Sequence, residues 1–212
     1  MLDTTVLYKT KKHGTLRIYE YIDAKHVVVE FVNTGYKTVS QAGNVRTGNV
    51  RDNMLPSVCG VGFIGDGPYR SKVLGKNSPT YNAWRNMIKR CYDAKTQKKQ
   101  PTYIGCEVCV DWHDFQIFSK WFEVNKIDGF VLDKDTKVIG NKLYSPETCV
   151  FISPAANSIA AAAKSHLFYN PSGVLVSVYN LTEHCRVNGL VQQNMSAVHL
   201  GKRKSHKGWV KA

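Results

Sequence analysis

The sequence lacks any long hydrophobic run. No stretch of its 212 residues approaches the roughly twenty apolar residues that a membrane-spanning helix needs, and the chain opens on mixed polar sequence. We therefore expect an intracellular protein without a membrane partner, whose six cysteines are reduced. With 43% hydrophobic residues the chain can still bury a core, which excludes a disordered basic tail protein.

Acidic residues are also scarce, since 16 Asp and Glu stand against 29 Lys and Arg, for a formal net charge of +13. Residues 70–102 hold nine basic residues and one acidic one, and residues 159–212 hold seven and one. Residues 103–158, by contrast, hold five basic and eight acidic residues. An acidic centre between two basic regions fits a metal site flanked by surfaces that bind a polyanion. The alternative is a protein that spreads its lysines for solubility.

A second pair of metal-binding cysteines is missing as well. Cys106 and Cys109 form a lone C-x-x-C, and a structural zinc needs two further ligands, which Cys91 or Cys149 could supply. Because one C-x-x-C is a weak signal, we expect buried, reduced cysteines rather than a structural zinc.

What the N-terminal part does have is alternation of apolar and polar residues, which predicts a small antiparallel β domain over residues 1–55. The extended pattern includes Val45. The tripeptide Asn-Val-Arg occurs twice, which places Arg46 and Arg51 five residues apart. They would contact phosphate from one loop, or else belong to a tight turn with solvated arginines.

Residues 56–77 are rich in glycine and proline and predict a linker. Their glycines lack the spacing of a phosphate-binding loop. Three basic residues would let this segment follow a nucleic acid along its phosphates: Arg70, Lys72 and Lys76.

Ser78 and Pro79 predict the start of a helix that runs to about Tyr92 and turns Trp84 towards the core. Arg85 and Lys89 lie mostly on another side of this helix, where nucleic acid could reach them. Residues 95–100 are predicted as a polar, basic loop. A large aromatic stripe then predicts the main core helix, formed by Trp112, Phe115, Phe118, Trp121 and Phe122.

The centre of the sequence, residues 130–157, has a strand–loop–strand–helix pattern. Two short apolar runs predict the strands, at residues 130–132 and 149–152. Ser153 and Pro154 give a helix start, a hydroxyl cap followed by proline at the first helical position. Asn157 lies one turn into that helix, and Asp133 follows the first strand directly.

This pattern resembles the ββα-metal finger of the HNH, or His-Me finger, endonucleases, and especially the phage- and intron-encoded homing enzymes. In that family an Asp-His pair ends the first strand, an Asn begins the second, and a final Asn or His lies on the helix. The resemblance implies an HNH-like domain at residues 78–165. It also implies Asp133 and Asn157 as ligands of Mg²⁺ or Mn²⁺, hard cations that prefer oxygen.

Two other catalytic positions differ from the family pattern. Lys134 stands where the general-base His belongs, and Thr148 stands where the middle Asn belongs. Phosphodiester hydrolysis needs a base to activate water, and an ordinary lysine is protonated at neutral pH. Asp135 or His113 is therefore an alternative base.

The C-terminal segment, residues 166–212, predicts a hairpin followed by two short helices joined at Asn188-Gly189. Its ending resembles the helix-turn-helix modules fused to homing endonucleases, in which the second helix enters the major groove. That helix would offer Gln192, Gln193, Asn194, Ser196 and His199 to the bases. The tail would bind phosphates through Lys202, Arg203, Lys204 and Lys207. The alternative is a helical hairpin that only packs.

We thus predict an α+β fold with a small N-terminal antiparallel sheet, a central ββα-metal finger packed on helices, and a C-terminal helix-turn-helix. Two functions stay open: a metal-dependent HNH homing endonuclease, or a non-cleaving relative that binds DNA, structured RNA or a ribonucleoprotein such as a ribosome. A transcription regulator would leave the central domain unexplained. We expect a monomer that binds double-stranded DNA or structured RNA, and a phage protein in the host cytoplasm.

Overall fold

The computed structural model describes residues 2–137, 140–162 and 166–212, without the side chains of residues 159–162. Within these ranges the chain forms a mixed α+β structure with several small antiparallel sheets, which confirms the expected class. It divides into two units, one made of residues 1–126 and 137–150 and the other of residues 127–136 and 151–212. This division differs from the four consecutive segments that the sequence suggested.

The elements are numbered here in chain order. The helices are α1 Ala42–Thr47, α2 Pro79–Tyr92, α3 Ala94–Lys99, α4 Phe115–Asn125, α5 Pro154–Ala162, α6 Leu181–Val187 and α7 Gln192–His199. The strands are β1 Leu7–Lys9, β2 Thr15–Tyr21, β3 Val27–Phe31, β4 Lys37–Ser40, β5 Lys72–Val73, β6 Lys76–Asn77, β7 Glu107–Val108, β8 Val131–Asp133, β9 Leu143–Tyr144, β10 Val150–Ile152, β11 His166–Tyr169, β12 Leu175–Val178, β13 Ser205–His206 and β14 Trp209–Lys211. None of the helices in the described ranges has the length and apolarity that crossing a membrane requires.

The first unit opens with an antiparallel sheet in the order β1-β2-β3-β4. Alternate residues of β3 are fully buried because one face of the sheet covers a core and the other faces solvent. That core is built from Leu16, Ile18, Val27, Val29, Phe31, Ala42, Val45 and Val50.

Helix α1 corrects the prediction of an extended segment around Val45. Val45 is buried against the sheet from this helix, not from a strand. Gly48 ends the helix in the left-handed region, at φ 66°, where a side chain would be strained. Its added Cβ would lie 2.8 Å from the carbonyl oxygen of Lys9, so the helix end is fixed against the β1 end.

Residues 56–77, predicted as a linker, are packed against the helical part of the first unit. The N–H of Phe63 donates to the carbonyl of His113 at 2.9 Å, and the N–H of Phe115 donates back to Phe63 at 3.0 Å. Further along, β5 and β6 form a small hairpin. The segment is therefore a structured part of the first unit.

The helices of the first unit follow their capping signals. The Ser78 hydroxyl accepts a hydrogen bond from the N–H of Tyr81 at 3.1 Å, as the Ser-Pro start predicts. Trp84 is fully buried between α2 and α4, with its ring centroid 5.4 Å from that of Phe115. Residues 95–100, predicted as a loop, belong largely to α3, because Asp93 caps it by accepting from the N–H of Thr96 at 2.9 Å.

In the second unit, β8 and β10 pair and α5 packs beside β8, which gives the predicted order strand, loop, strand, helix. The loop also contributes β9, which pairs in parallel with β7 and belongs to the first unit.

The C-terminal segment forms a sheet in the order β12-β11-β14-β13, covered by α6 and α7. Its core consists of Phe168, Val178, Leu181, Cys185, Met195 and Val198. The basic tail was predicted only as a phosphate-binding extension. Part of it instead folds into the hairpin β13–β14, which adds to the sheet beside β11.

Candidate nucleic-acid interface and metal site

The end of β8 is shaped by Asp133. Its Oδ2 accepts hydrogen bonds from the N–H of Asp135 at 2.9 Å and of Thr136 at 2.7 Å, which turns the chain out of the strand. The other carboxylate oxygen makes no hydrogen bond to any residue that the structure describes. One oxygen of Asp133 therefore holds the loop, and one remains for a ligand.

Lys134, at the position of the family's general base, is only 5% exposed. Its Nζ forms an ion pair with Asp135 Oδ1 at 2.5 Å. An ammonium group donates hydrogen bonds and has no lone pair with which to accept a proton. The pair also engages one carboxylate oxygen of Asp135, the alternative base.

Asn157 lies on the first turn of α5. This helix begins as predicted, with the N–H of Ala156 donating to the Ser153 hydroxyl at 3.1 Å. Asn157 is partly buried, and α5 packs beside β8, which ends at Asp133. The two predicted metal ligands therefore lie on neighbouring elements of one unit.

The donor set fits Mg²⁺ or Mn²⁺ in kind, because a carboxylate oxygen and an amide oxygen are hard ligands. Mg²⁺ commonly keeps several waters and takes only one or two carboxylates from a protein. Among the described residues, no group of three or more His, Cys, Asp and Glu could hold a metal ion. Among the described residues no disulfide joins the cysteines Cys59, Cys91, Cys106, Cys109, Cys149 and Cys185.

Thr148 and His113 both belong to the first unit. The Thr148 hydroxyl donates to the carbonyl of Leu143 at 2.7 Å and accepts from the N–H of Ser145 at 3.1 Å, which closes the turn before β10. His113 Nε2 lies 3.4 Å from the hydroxyl of Tyr92, and the two rings meet edge to face. Both side chains thus have structural partners.

The first unit contains a cleft with a volume of about 800 Å³. Five basic side chains from separate parts of the sequence line it: Lys12, Arg51, Arg70, Lys72 and Arg85. None of the five makes a hydrogen bond or an ion pair with any residue in the described ranges. We call this group the cleft cations. Their charges face the cleft without internal neutralisation.

One acidic residue, Asp52, also lines the cleft, but its carboxylate is engaged elsewhere. It is 3% exposed and accepts from the Thr34 hydroxyl at 2.7 Å and from the N–H of Met54 at 2.9 Å. Nearby, burial lowers the pKa of His13, an effect that Asp52 opposes and Arg51 reinforces. With five basic side chains and this one carboxylate, the lining of the cleft is net positive.

The wall that carries Arg70 and Lys72 is fixed by Gln116, a side chain on α4 that is 8% exposed. Its amide nitrogen donates to the carbonyls of Ile64 at 3.0 Å and Tyr69 at 3.1 Å. Its amide oxygen accepts from the N–H of Tyr69 at 2.9 Å. Three hydrogen bonds thus hold this wall from beneath.

Gly65 brings the same wall against the N-terminus of α4. Its φ is +73°, and an added Cβ would lie 2.0 Å from Asp114 Oδ1. Asp114 caps α4 by accepting from the N–H of Gln116 at 2.7 Å. Burial raises the pKa of the Asp114 carboxyl, and the backbone N–H groups of Gln116 and Ile117 partly offset this rise.

Three other predicted phosphate ligands do not line the cleft. Arg46 is exposed on α1, Lys76 is exposed on β6, and Lys89 is half-buried on α2. The sequence predictions missed Lys12, whose one signal is a basic pair beside the turn at Gly14. They also missed Gln116, for which the sequence offers no signal.

On α7, Gln192 and Gln193 are exposed, whereas the other predicted base-reading residues are partly buried. Asn194 Oδ1 accepts from Arg203 at 3.1 Å. The His199 ring packs edge-on against His166, with ring centroids 4.4 Å apart. Ser196 is half-buried on the same helix.

Some basic side chains of the tail make hydrogen bonds within the chain, and others make none among the described residues. Arg203 also donates to the carbonyl of Ser205 at 2.9 Å, and Lys207 Nζ donates to the carbonyl of Gly189 at 2.7 Å. Lys202 and Lys204 are exposed, and their side chains make no hydrogen bond or ion pair within the described chain.

No protein-family model matches the chain, and no curated protein matches it. Among solved structures, the chain is similar to the HNH homing endonuclease I-HmuI, in a structure that concerns DNA binding and cleavage by that enzyme. The similarity has 12% sequence identity and a TM-score of 0.24, over 99% of this chain and 88% of that one.

Proposed function

We propose that this chain is a nucleic-acid-binding protein of the HNH homing-endonuclease kind. The observation that carries the proposal is the group of cleft cations, five unneutralised charges that converge on one cleft. Charges that are paired within a protein are neutralised locally, but unpaired charges that face one opening attract a polyanion. A nucleic acid is the polyanion whose regular phosphates match several such contacts at once.

The C-terminal module would add sequence preference. Gln192 and Gln193 are exposed on α7, and a glutamine can form paired hydrogen bonds with adenine in the major groove. Lys202 and Lys204 lie just beyond the helix and are free to contact phosphates. Double-stranded DNA is the partner that this helix favours, with structured RNA as the alternative, and we propose that a monomer binds it in the cytoplasm.

Metal-dependent cleavage is the second candidate function. It is favoured by the oxygen of Asp133 that remains for a ligand and by the packing of α5, with Asn157, beside β8. These two residues would hold Mg²⁺ or Mn²⁺, which when bound would stabilise negative charge on a phosphate. The ion pair of Lys134 with Asp135 and the structural role of Thr148 favour the non-cleaving alternative.

One assay addresses both functions. The protein is incubated with duplex DNA or a structured RNA at several salt concentrations, with and without Mg²⁺ or Mn²⁺, and binding and nicking are measured. We expect binding whose logarithmic affinity falls linearly with the logarithm of salt concentration. Failure to bind either polymer would contradict the proposal.

Nicking needs a matched control. The control variant is Asp66→Ala, which alters an exposed acidic residue outside the loop. If Asp133→Ala abolishes cleavage and Asp66→Ala preserves it, the protein is an endonuclease. Salt-dependent binding without nicks would select the non-cleaving binder.

A further inference from the structure

We infer that the cleft of the first unit binds an unpaired stretch of the nucleic acid, a single phosphodiester strand a few nucleotides long. The inference rests on the proposed function and deepens it by separating two kinds of contact. The cleft would take a strand whose bases are free, while the C-terminal module would contact paired DNA.

The first reason is size. The cleft has a volume of about 800 Å³. Sites of roughly 300–1,000 Å³ suit small ligands, which corresponds to a few nucleotide units. A double helix, whose major groove alone is about 12 Å wide, is too large to enter and could only lie across the opening.

The second reason is an aromatic wall. Tyr81 lines the cleft and is partly exposed, while its ring packs against Trp84 and Phe115 at centroid distances of 5.7 and 5.6 Å. Tyr69 also lines the cleft, and its hydroxyl donates to Glu123 at 2.6 Å. Aromatic rings held in place beside a cationic groove are the arrangement that stacks unpaired bases of any sequence.

The third reason is the origin of the cleft cations. Lys12 comes from the β1–β2 turn, Arg51 from the segment after α1, and Arg85 from α2, while Arg70 and Lys72 share the wall that Gln116 fixes. Charges from several directions surround a phosphate chain, whereas a duplex surface would meet charges on one face. A pre-formed wall also reduces the ordering that binding requires.

The test compares three probes of one sequence: a full duplex, the same duplex with a central bubble of unpaired bases, and the single strand. Affinities are measured by fluorescence anisotropy for the full-length protein, for the double variant Arg51→Gln with Arg85→Gln, and for Tyr81→Leu. The control is Lys25→Gln with Lys120→Gln, which removes two exposed charges of the same unit that lie outside the cleft.

We expect the Arg51/Arg85 variant to weaken binding of the bubble and the single strand about tenfold and the duplex less than twofold. The logarithmic salt slope for the single strand should fall by about 1.4, since each lost phosphate contact removes about 0.7. Tyr81→Leu should weaken the bubble and the single strand by a similar factor. The control should change all three affinities less than twofold.

Equal losses on duplex and bubble would show that the cleft binds paired DNA and would overturn the inference, while the proposed function would stand. Unchanged affinities in the Arg51/Arg85 variant would overturn it as well. A free deoxynucleoside monophosphate that displaces the single strand at equal concentration of phosphate would show a nucleotide site instead. Absence of binding to every probe by the unaltered protein would contradict the proposed function itself. Thermal melting checks that Tyr81→Leu is folded, and the Arg51/Arg85 variant decides the question if it is not.

Discussion

The cleft and the C-terminal tail are both rich in lysine and arginine, and most of these residues were predicted to bind nucleic acid, yet their charges are used differently. The cleft cations make no hydrogen bond or ion pair with described residues. In the tail, Arg203 bonds to Asn194 and Ser205, and Lys207 bonds to Gly189. A count of basic residues therefore measures formal charge, and only the structure distinguishes charges that are available from charges that hold the fold.

The difference follows from what each region needs for its own stability. The cleft wall has its backbone groups satisfied by Gln116, a neutral side chain that supplies both donors and an acceptor. The carbonyl groups of Ser205 and Gly189 lie in or near the tail, and the basic side chains of Arg203 and Lys207 donate to them.

The largest effect should come from the cleft wall at Gly65. We expect Gly65→Ala to lower the free energy of unfolding by at least about 3 kcal/mol, because the new Cβ would clash with Asp114 and would impose positive φ on alanine. Gly60→Ala is the control, since Gly60 has φ +76° but no atom within 4 Å of its added Cβ. Its loss should be about 1 kcal/mol in urea unfolding. Equal losses would mean that the wall moves away easily and that the cleft is not pre-formed.

Gln116→Ala should lower the free energy of unfolding by about 2 kcal/mol, because it removes three hydrogen bonds and leaves backbone groups of the wall without partners. It should also weaken binding of single-stranded DNA by misplacing Arg70 and Lys72. Asn125→Ala, on the exposed side of the same helix, should change neither quantity by much. If Gln116→Ala is as stable as the unaltered protein and binds single-stranded DNA equally well, Gln116 does not position Arg70 and Lys72.

In the tail, Arg203→Gln and Lys202→Gln should separate the two uses of charge. We expect Arg203→Gln to cost up to about 1 kcal/mol of stability, because its hydrogen bonds hold the hairpin to α7, and to leave the salt slope of duplex binding nearly unchanged. Lys202→Gln should leave stability unchanged and lower that slope by about 0.9. The reverse pattern would contradict the contrast between cleft and tail.

The smallest effect concerns pH. The pKa of Asp114 is raised in the folded state, chiefly by burial, above its ordinary value of 3.8. The unfolded chain therefore loses this proton first, and stability falls as pH rises from 3.8 through the folded pKa. Asp114→Asn, which can still cap α4, should gain stability relative to the unaltered protein between pH 3.5 and pH 7 in urea unfolding. A relative loss over that range would show that the charged cap stabilises the folded state.

Local signals in the sequence predicted the local structure well. The Ser-Pro pairs located the starts of α2 and α5, and the Asn180 side chain caps α6 by accepting from the N–H of Glu183 at 3.1 Å. The aromatic residues Phe115 and Phe118 are buried in the helical part of the first unit, as the stripe predicted. The alternation of apolar and polar residues gave a wrong prediction at Val45. This residue is buried on one face of the short helix α1, and the resulting sequence pattern is the same as that of a strand.

The candidate site was much less predictable, because its parts are distant in sequence. Nothing in the order of residues says that Lys12, Arg51 and Arg85 converge while Arg46, only five residues from Arg51, does not. Residue type alone also does not indicate that Lys134 pairs with Asp135 or that Arg203 donates to Asn194 and Ser205. Residue type predicted the chemistry, and packing decided which residues share a surface.

The division into two units has a practical consequence for dissecting the molecule. The backbone passes from one unit to the other three times, after residues 126, 136 and 150. No single cut can therefore release either unit intact: a fragment that begins at residue 151 would lack β8, the neighbour of β10, and Asp133 with it. Limited proteolysis or truncation would yield incomplete pieces, and isolating one unit would require joining residues 127–136 to the C-terminal stretch through a new linker.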